Sequence, residues 1–212
     1  MMGIKAYAQE LTQMLNNYSN WMKETSSYNI DIQVYMFKSD AKTPYYHVEL
    51  LKQDDASLTI ARNINYLVTS DYSLVCDHDK KRIAIQNSEE VAESYLGYEI
   101  PEFDSGVFDI EKRIEGDFIV FDLRSQKLEN GYTYMRYIFY KNGRLKSVKY
   151  GLDSSQGGGY SDVEIEYNYR KNLAHKDILE VESYLKVGKK KIELQDQYLG
   201  YELFNNMGYV NR

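Results

Sequence analysis

The chain has 212 residues, 43% hydrophobic and 27% charged, a balance that supports a packed core and excludes a disordered polymer. Its 32 acidic and 26 basic residues leave a formal charge of -6, which repels phosphate backbones and argues against nucleic acid as a partner. No apolar run reaches the roughly 18 residues of a membrane-spanning helix, and one cysteine permits no intramolecular disulfide.

The first ten residues contain Ala6-Tyr7-Ala8, the small-x-small pattern that a signal peptidase reads. Residues 1–8 read either as the end of a signal peptide, with the mature chain starting near Gln9, or as a chance match in a cytoplasmic protein. Leu11, Met14, Leu15, Tyr18, Trp21 and Met22 recur at spacings of three and four, which predicts a helix from about Gln9 to Glu24 with one apolar stripe. After Thr25-Ser26-Ser27, strict alternation puts Tyr28, Ile30, Ile32, Val34 and Met36 on one face of a strand. Further strands are expected at Tyr45 to Lys52, Leu58 to Arg62, Asn65 to Thr69, Ser73 to Asp77 and Arg82 to Gln86. The polar turn His78-Asp79-Lys80-Lys81 joins the last two.

Ser88-Glu89-Glu90 supplies an N-cap and an acidic first turn for a short second helix through about Leu96. Gly97 to Asp117, acid-rich and interrupted by Pro101, Gly106 and Gly116, reads as a lid, a long loop or a boundary. Strands resume at Phe118. Tyr132 to Tyr140 and Arg144 to Leu152 form a hairpin around Asn142-Gly143, which supplies the positive φ such a turn requires. In Asp162 to Tyr169, Val163, Ile165, Tyr167 and Tyr169 face one way and the charged residues the other. Ile178 to Val187, Lys190 to Leu194 and Tyr198 to Phe204 complete the pattern. Lys186, Lys189, Lys190 and Lys191 around Gly188 are the best candidate for a basic patch and read as a solvated hairpin tip.

Reactive residue types are sparse. Cys76-Asp77-His78-Asp79 is the densest cluster, but a zinc site needs three or four converging ligands, and His47 and His175 are distant in sequence. Alternation buries Cys76, which disfavours a nucleophilic thiol. Glu164 and Glu166 share a strand face where polar residues are expected anyway. The acids from Glu99 to Asp117 lack the regular spacing of a calcium loop, and the triple glycine at 157–159 lacks the context of a phosphate loop. Asn17-Tyr18-Ser19 matches the glycosylation pattern but falls within the expected helix. No catalytic residue, metal site or cofactor is assigned.

The run Leu67 to Ile85, with Thr69-Ser70-Asp71-Tyr72 ending one strand and His78-Asp79-Lys80-Lys81 turning into another, resembles a segment of the bacterial LolA/LolB-like lipoprotein carriers. The order of a helix, a meander and a second set of hairpins is similar as well. The family's glycine after Asp71 is absent here, Val75 and Cys76 stand where it has aromatics, and its acyl-handling arginine is not assigned to Arg62 or any other position. The resemblance implies an α+β fold, mainly antiparallel, as an incomplete half-barrel with an N-terminal helix and a short second helix covering the concave face. It also implies binding of lipoprotein acyl chains in an apolar hollow, in the periplasm.

The expected domain organisation is therefore a single half-barrel domain over 9–212. The expected function is non-enzymatic binding of a hydrophobic or amphipathic ligand, a lipid or lipoprotein acyl chain. The alternative is a structural or adaptor subunit of an envelope assembly that recognises a protein partner. Residue type and expected position select Trp21, Met22, Tyr35, Phe37, Tyr134 and Tyr137 as the candidate lining. The 22 tyrosines point the same way, since each combines apolar area with a polar tip, although tyrosine also favours strands for packing alone.

Overall fold

The computed structural model describes residues 2–88, 107–125, 132–153, 158–171, 179–188 and 191–206, with side chains from residue 6 onward. One helix, α1 (Met2–Glu24), precedes β1 (Ser27–Lys38), β2 (Ala41–Gln53), β3 (Ala56–Ala61), β4 (Ile64–Val68), β5 (Tyr72–Asp77) and β6 (Arg82–Asn87). Then come β7 (Phe108–Glu115), β8 (Phe118–Ser125), β9 (Tyr132–Tyr140), β10 (Leu145–Leu152) and β11 (Asp162–Arg170). The C-terminal part holds β12 (Leu185–Val187), β13 (Ile192–Leu194) and β14 (Glu202–Asn205), with single 3-10 turns at Val181–Ser183 and Asp196–Tyr198.

Twelve strands pair in the order β14-β6-β5-β4-β3-β2-β1-β11-β10-β9-β8-β7, and β12 and β13 form a separate ribbon. The sheet is open, ending at β14 and β7, as an incomplete barrel requires. Its described registers are antiparallel except for β14 on β6, which is parallel. The expected α+β class with one N-terminal helix is thus observed. The expected second helix, His175, Lys189 and Lys190 lie outside the described residues.

Two boundaries differ from the sequence expectation. The helix begins at Met2, and Ala8 is buried within it. Residues 108–115 form a strand inside the acid-rich stretch, with Phe108 and Ile110 buried and Asp109 and Glu111 exposed. Lys112 hides that alternation, because it stands on the apolar face between Ile110 and Ile114.

The chain divides into two compact units. One comprises residues 1–25, 32–47 and 99–168. Within it, the stripe Ala8, Leu11, Leu15 and Tyr18 of α1 is buried, along with Phe108, Ile110, Phe121, Leu123, Tyr137, Phe139 and Val163 of the sheet. A salt bridge from Lys112 of β7 to Glu10 ties the helix to this face. Gly143 turns the β9–β10 hairpin at φ +83, a conformation that glycine adopts without strain.

The second unit comprises residues 26–31, 48–98 and 169–212. Leu51, Leu58, Leu67, Leu74 and Ile85 are direct cross-strand partners in one row over β2 to β6, each at most 1% exposed. Leu179, Val181, Tyr184, Leu185 and Ile192 belong to the same core. Each residue of this row contributes roughly 1.5–3 kcal/mol by its full burial.

Candidate functional site

All six candidate residues fall in the first unit, and the sheet divides them between its two faces. Tyr137 is opposite Phe121 on β8 and Val148 on β10, on the apolar face covered by α1. Trp21 and Met22 reach this side from the helix, where Tyr18 packs edge-on against Tyr167 of β11 at 6.3 Å. Tyr134, three residues from Tyr137 with regular pairing between them, points to the other face. Tyr35 and Phe37 share that outer face with Lys42 and Lys149.

On the helix-covered face, aromatic groups meet at several points. Trp21 stacks on Tyr18 at 5.8 Å, and the Arg144 guanidinium lies 4.7 Å above the indole. Thr133 is an extra residue in β9, so Tyr132 departs from the regular alternation and its ring meets Tyr150 edge-on at 5.2 Å. Burial pushes the Tyr137 phenol up to about 12, helped by the nearby Tyr132 and Tyr150 phenols. Burial is not uniform across this interface. Leu11, Leu15, Phe121, Leu123 and Phe139 are buried, whereas Met14, Trp21 and Met22 on the helix and Met135, Val148, Tyr150 and Ile165 on the sheet are half-buried.

The outer face carries charges in rows beside a small apolar patch in which Val120, opposite Ile138, is buried. Glu111, Asp122, Arg136, Lys149 and Glu164 are successive cross-strand partners over β7 to β11. Lys42 binds Glu166 at 2.6 Å and Glu164 at 2.9 Å while its ammonium sits 3.9 Å from the Tyr35 ring centre. Lys149 lies 4.3 Å from the Phe37 ring centre. Tyr134 donates its phenol proton to Asp162, and burial together with that carboxylate raises its pKa. Asp122 accepts from Arg136 Nε at 2.5 Å and from Arg113. A depression of about 730 Å³ opens among Glu111, Arg113, Asp122, Arg124, Tyr134 and Arg136.

Residue-type reasoning overlooked Arg144, Tyr132, Tyr150 and Lys42. Tyr132 and Tyr150 were detectable as paired hairpin aromatics, whereas Lys42 meets Glu166 across 124 residues of chain, which no local pattern reveals.

In the second unit, Cys76 is buried with its sulfur 3.7 Å from His78 Nε2, and His78 Nδ1 lies 3.1 Å from Tyr201 Oη. Burial, with Asp77 adding to it, pushes the thiol up to about 11, so no thiolate forms at neutral pH. His47 is exposed at a distance in sequence, and no metal-holding group of three or more His, Cys, Asp or Glu residues occurs among the described residues.

No family model and no curated protein matches this chain. Among solved structures, it is similar to a LolA superfamily protein from Nitrosomonas europaea, at 10% identity over 81% of this chain and 97% of that one, TM-score 0.33. It is similar to an uncharacterized conserved protein from Thermus thermophilus, at 11% identity over 93% and 99% of the two chains, TM-score 0.44. The lipoprotein LppX of Mycobacterium tuberculosis is a third, at 10% identity over 78% and 98%, TM-score 0.38. The first of these is a LolA superfamily protein, the group that the order of elements in the sequence resembles.

Proposed function

We propose that this protein holds a hydrophobic or amphipathic ligand, a lipid or lipoprotein acyl chain, between α1 and the apolar face of β8 to β11, without chemical turnover. The observation that carries this reading is the set of apolar residues left half-buried on both opposing surfaces. Met14, Trp21 and Met22 look toward a sheet face on which Met135, Val148, Tyr150 and Ile165 are also half-buried. Completing their burial with an acyl chain gains about 25 cal/mol for each Å² of apolar surface removed from water. In this reading Trp21, Met22 and Tyr137 belong to the lining, while Tyr35, Phe37 and Tyr134 belong to the outer face. The bacterial envelope is the compartment that fits such a ligand, and the reading does not require residues 1–8 to be removed.

The chain has one tryptophan, at the proposed lining, so its emission reports occupancy directly. Titration with a long-chain fatty acid or a diacyl phospholipid is expected to blue-shift Trp21 in a saturable way, and native mass spectrometry is expected to find the bound mass. An unchanged emission together with a ligand-free mass after lipid exposure would overturn the proposal.

A second reading, an adaptor for a protein partner, is favoured by β14 at the end of the sheet, where Phe204 is 42% exposed and nearby Leu199 is 75% exposed. Stoichiometric co-purification of one protein, lost on Phe204→Ser, is the result expected of it.

A further inference from the structure

The outer face carries a feature that acyl-chain binding does not use. Arg124 is exposed on β8 opposite Asp109 of β7, and among the described residues its guanidinium makes no ion pair or hydrogen bond. It faces Tyr134 across the strand pair, and Asp122, two residues earlier, faces Arg136. Arg124 and Arg136 are therefore diagonal neighbours on one face, at the roughly 7–8 Å separation of such positions. Arg113, on β7, completes the group from the far side of Asp122.

We propose that the depression among Arg113, Arg124, Asp122, Tyr134 and Arg136 is a binding site for a phosphate group, with Arg124 as its principal ligand. Three guanidiniums line the depression together with Glu111 and Asp122, while Glu115 pairs with Arg113 and Asp109 stands opposite Arg124 on β7. Asp122 accepts Nε of Arg136 and a terminal nitrogen of Arg113, and so orients both groups. The terminal nitrogens of Arg136 and the whole guanidinium of Arg124 remain available as donors. A tetrahedral oxyanion bridges donors from adjacent strands better than a planar carboxylate, because its oxygens point in several directions. Thr133, the extra residue of β9, is exposed and also lines the depression.

The site stands independently of the acyl-chain reading, since it occupies the opposite face and uses none of that lining. Inorganic phosphate titrated into 15N-labelled protein is expected to shift the amides of residues 122–125 and 133–136 in a saturable way. Arg124→Gln is expected to weaken this at least tenfold. Arg124→Lys, which keeps the charge but loses the fork, is expected to fall between, and Lys141→Gln at a distant hairpin tip to leave it unchanged. Arg124 is exposed, so these variants retain the core. Cosedimentation with phosphatidylglycerol vesicles separates the sources: binding lost in Arg124→Gln identifies a lipid headgroup, and indifference to vesicles with retained phosphate binding identifies a free phosphate. No saturable shift with either probe, or an Arg124→Gln variant that behaves like the parent, overturns the proposal.

Discussion

The ring of Tyr134 lies across Gly151. A Cβ placed on Gly151 would come within 2.6 Å of that ring and would also meet the Thr133 hydroxyl. Gly151 therefore lets the Tyr134 ring cross β10 and donate its phenol proton to Asp162 on β11, joining three strands through one side chain. Gly151→Ala is expected to destabilise the protein by about 1–3 kcal/mol, the usual range for overpacking. Adding Tyr134→Ala should recover part of that loss, because it removes the clashing ring. Urea denaturation of the two single variants and the double variant checks both statements.

Arg170 joins Asp31 at 3.1 Å and Glu49 at 3.6 Å within the second unit. Glu49 is only 8% exposed, so its carboxylate depends on that guanidinium more than a surface acid would. Arg170→Met is expected to cost about 2 kcal/mol, below the ~3–5 of a fully buried pair because Arg170 itself is half-exposed. Glu49→Gln in the same background should restore most of it by removing the stranded charge. A double-mutant cycle with no coupling between the two positions would contradict this account.

The β9–β10 hairpin and β11 could be read from sequence to within a residue or so, because Asn142-Gly143 sets the turn and apolar alternation sets the faces. β7 could not, since Lys112 interrupts its alternation, and among the described residues Lys112 pairs with Glu10 on α1, a tertiary contact. The site was legible in part. Tyr134 and Tyr137 stand three apart on a regular strand, so their opposite faces follow from the period of two alone. Which face the helix covers does not follow from it, nor does the capping of Trp21 by Arg144. Both depend on where α1 packs, and the helix stripe specifies only which of its own residues turn inward.

Two buried phenols predict an alkaline limb to the stability curve. Tyr137 and Tyr184 are each pushed up to about 12, chiefly by burial, against about 10 in an unfolded chain. Between these values the unfolded chain loses phenolic protons that the folded protein retains, so stability falls as pH rises from about 10 to 12. Below about pH 10 the contribution is fully present. Tyr184→Phe should flatten this limb. It should also cost about 1 kcal/mol at neutral pH, because Asn65 Nδ2 donates to that hydroxyl at 3.2 Å. Urea midpoints at pH 8 and pH 11 for parent and variant test the sign, and an equally steep fall in both would refute it.

Arg144 covers the indole of Trp21 at 4.7 Å, at the strand end next to the Asn142-Gly143 turn. Arg144→Ala removes that cover and admits water to the ring, so the emission of the single tryptophan is expected to move to the red. A partly exposed cation–π contact of this kind contributes about 0.5–1 kcal/mol, and the loss of stability should fall in that range. Arg144→Lys keeps the charge but gives up the flat guanidinium face, and should lie between the two in both readouts. An acyl ligand seated beside Trp21 should reverse the red shift in Arg144→Ala, because the chain excludes the water that the arginine formerly excluded. Emission spectra of the variant with and without fatty acid check that reversal, and a red shift that persists at saturation would place the ligand elsewhere.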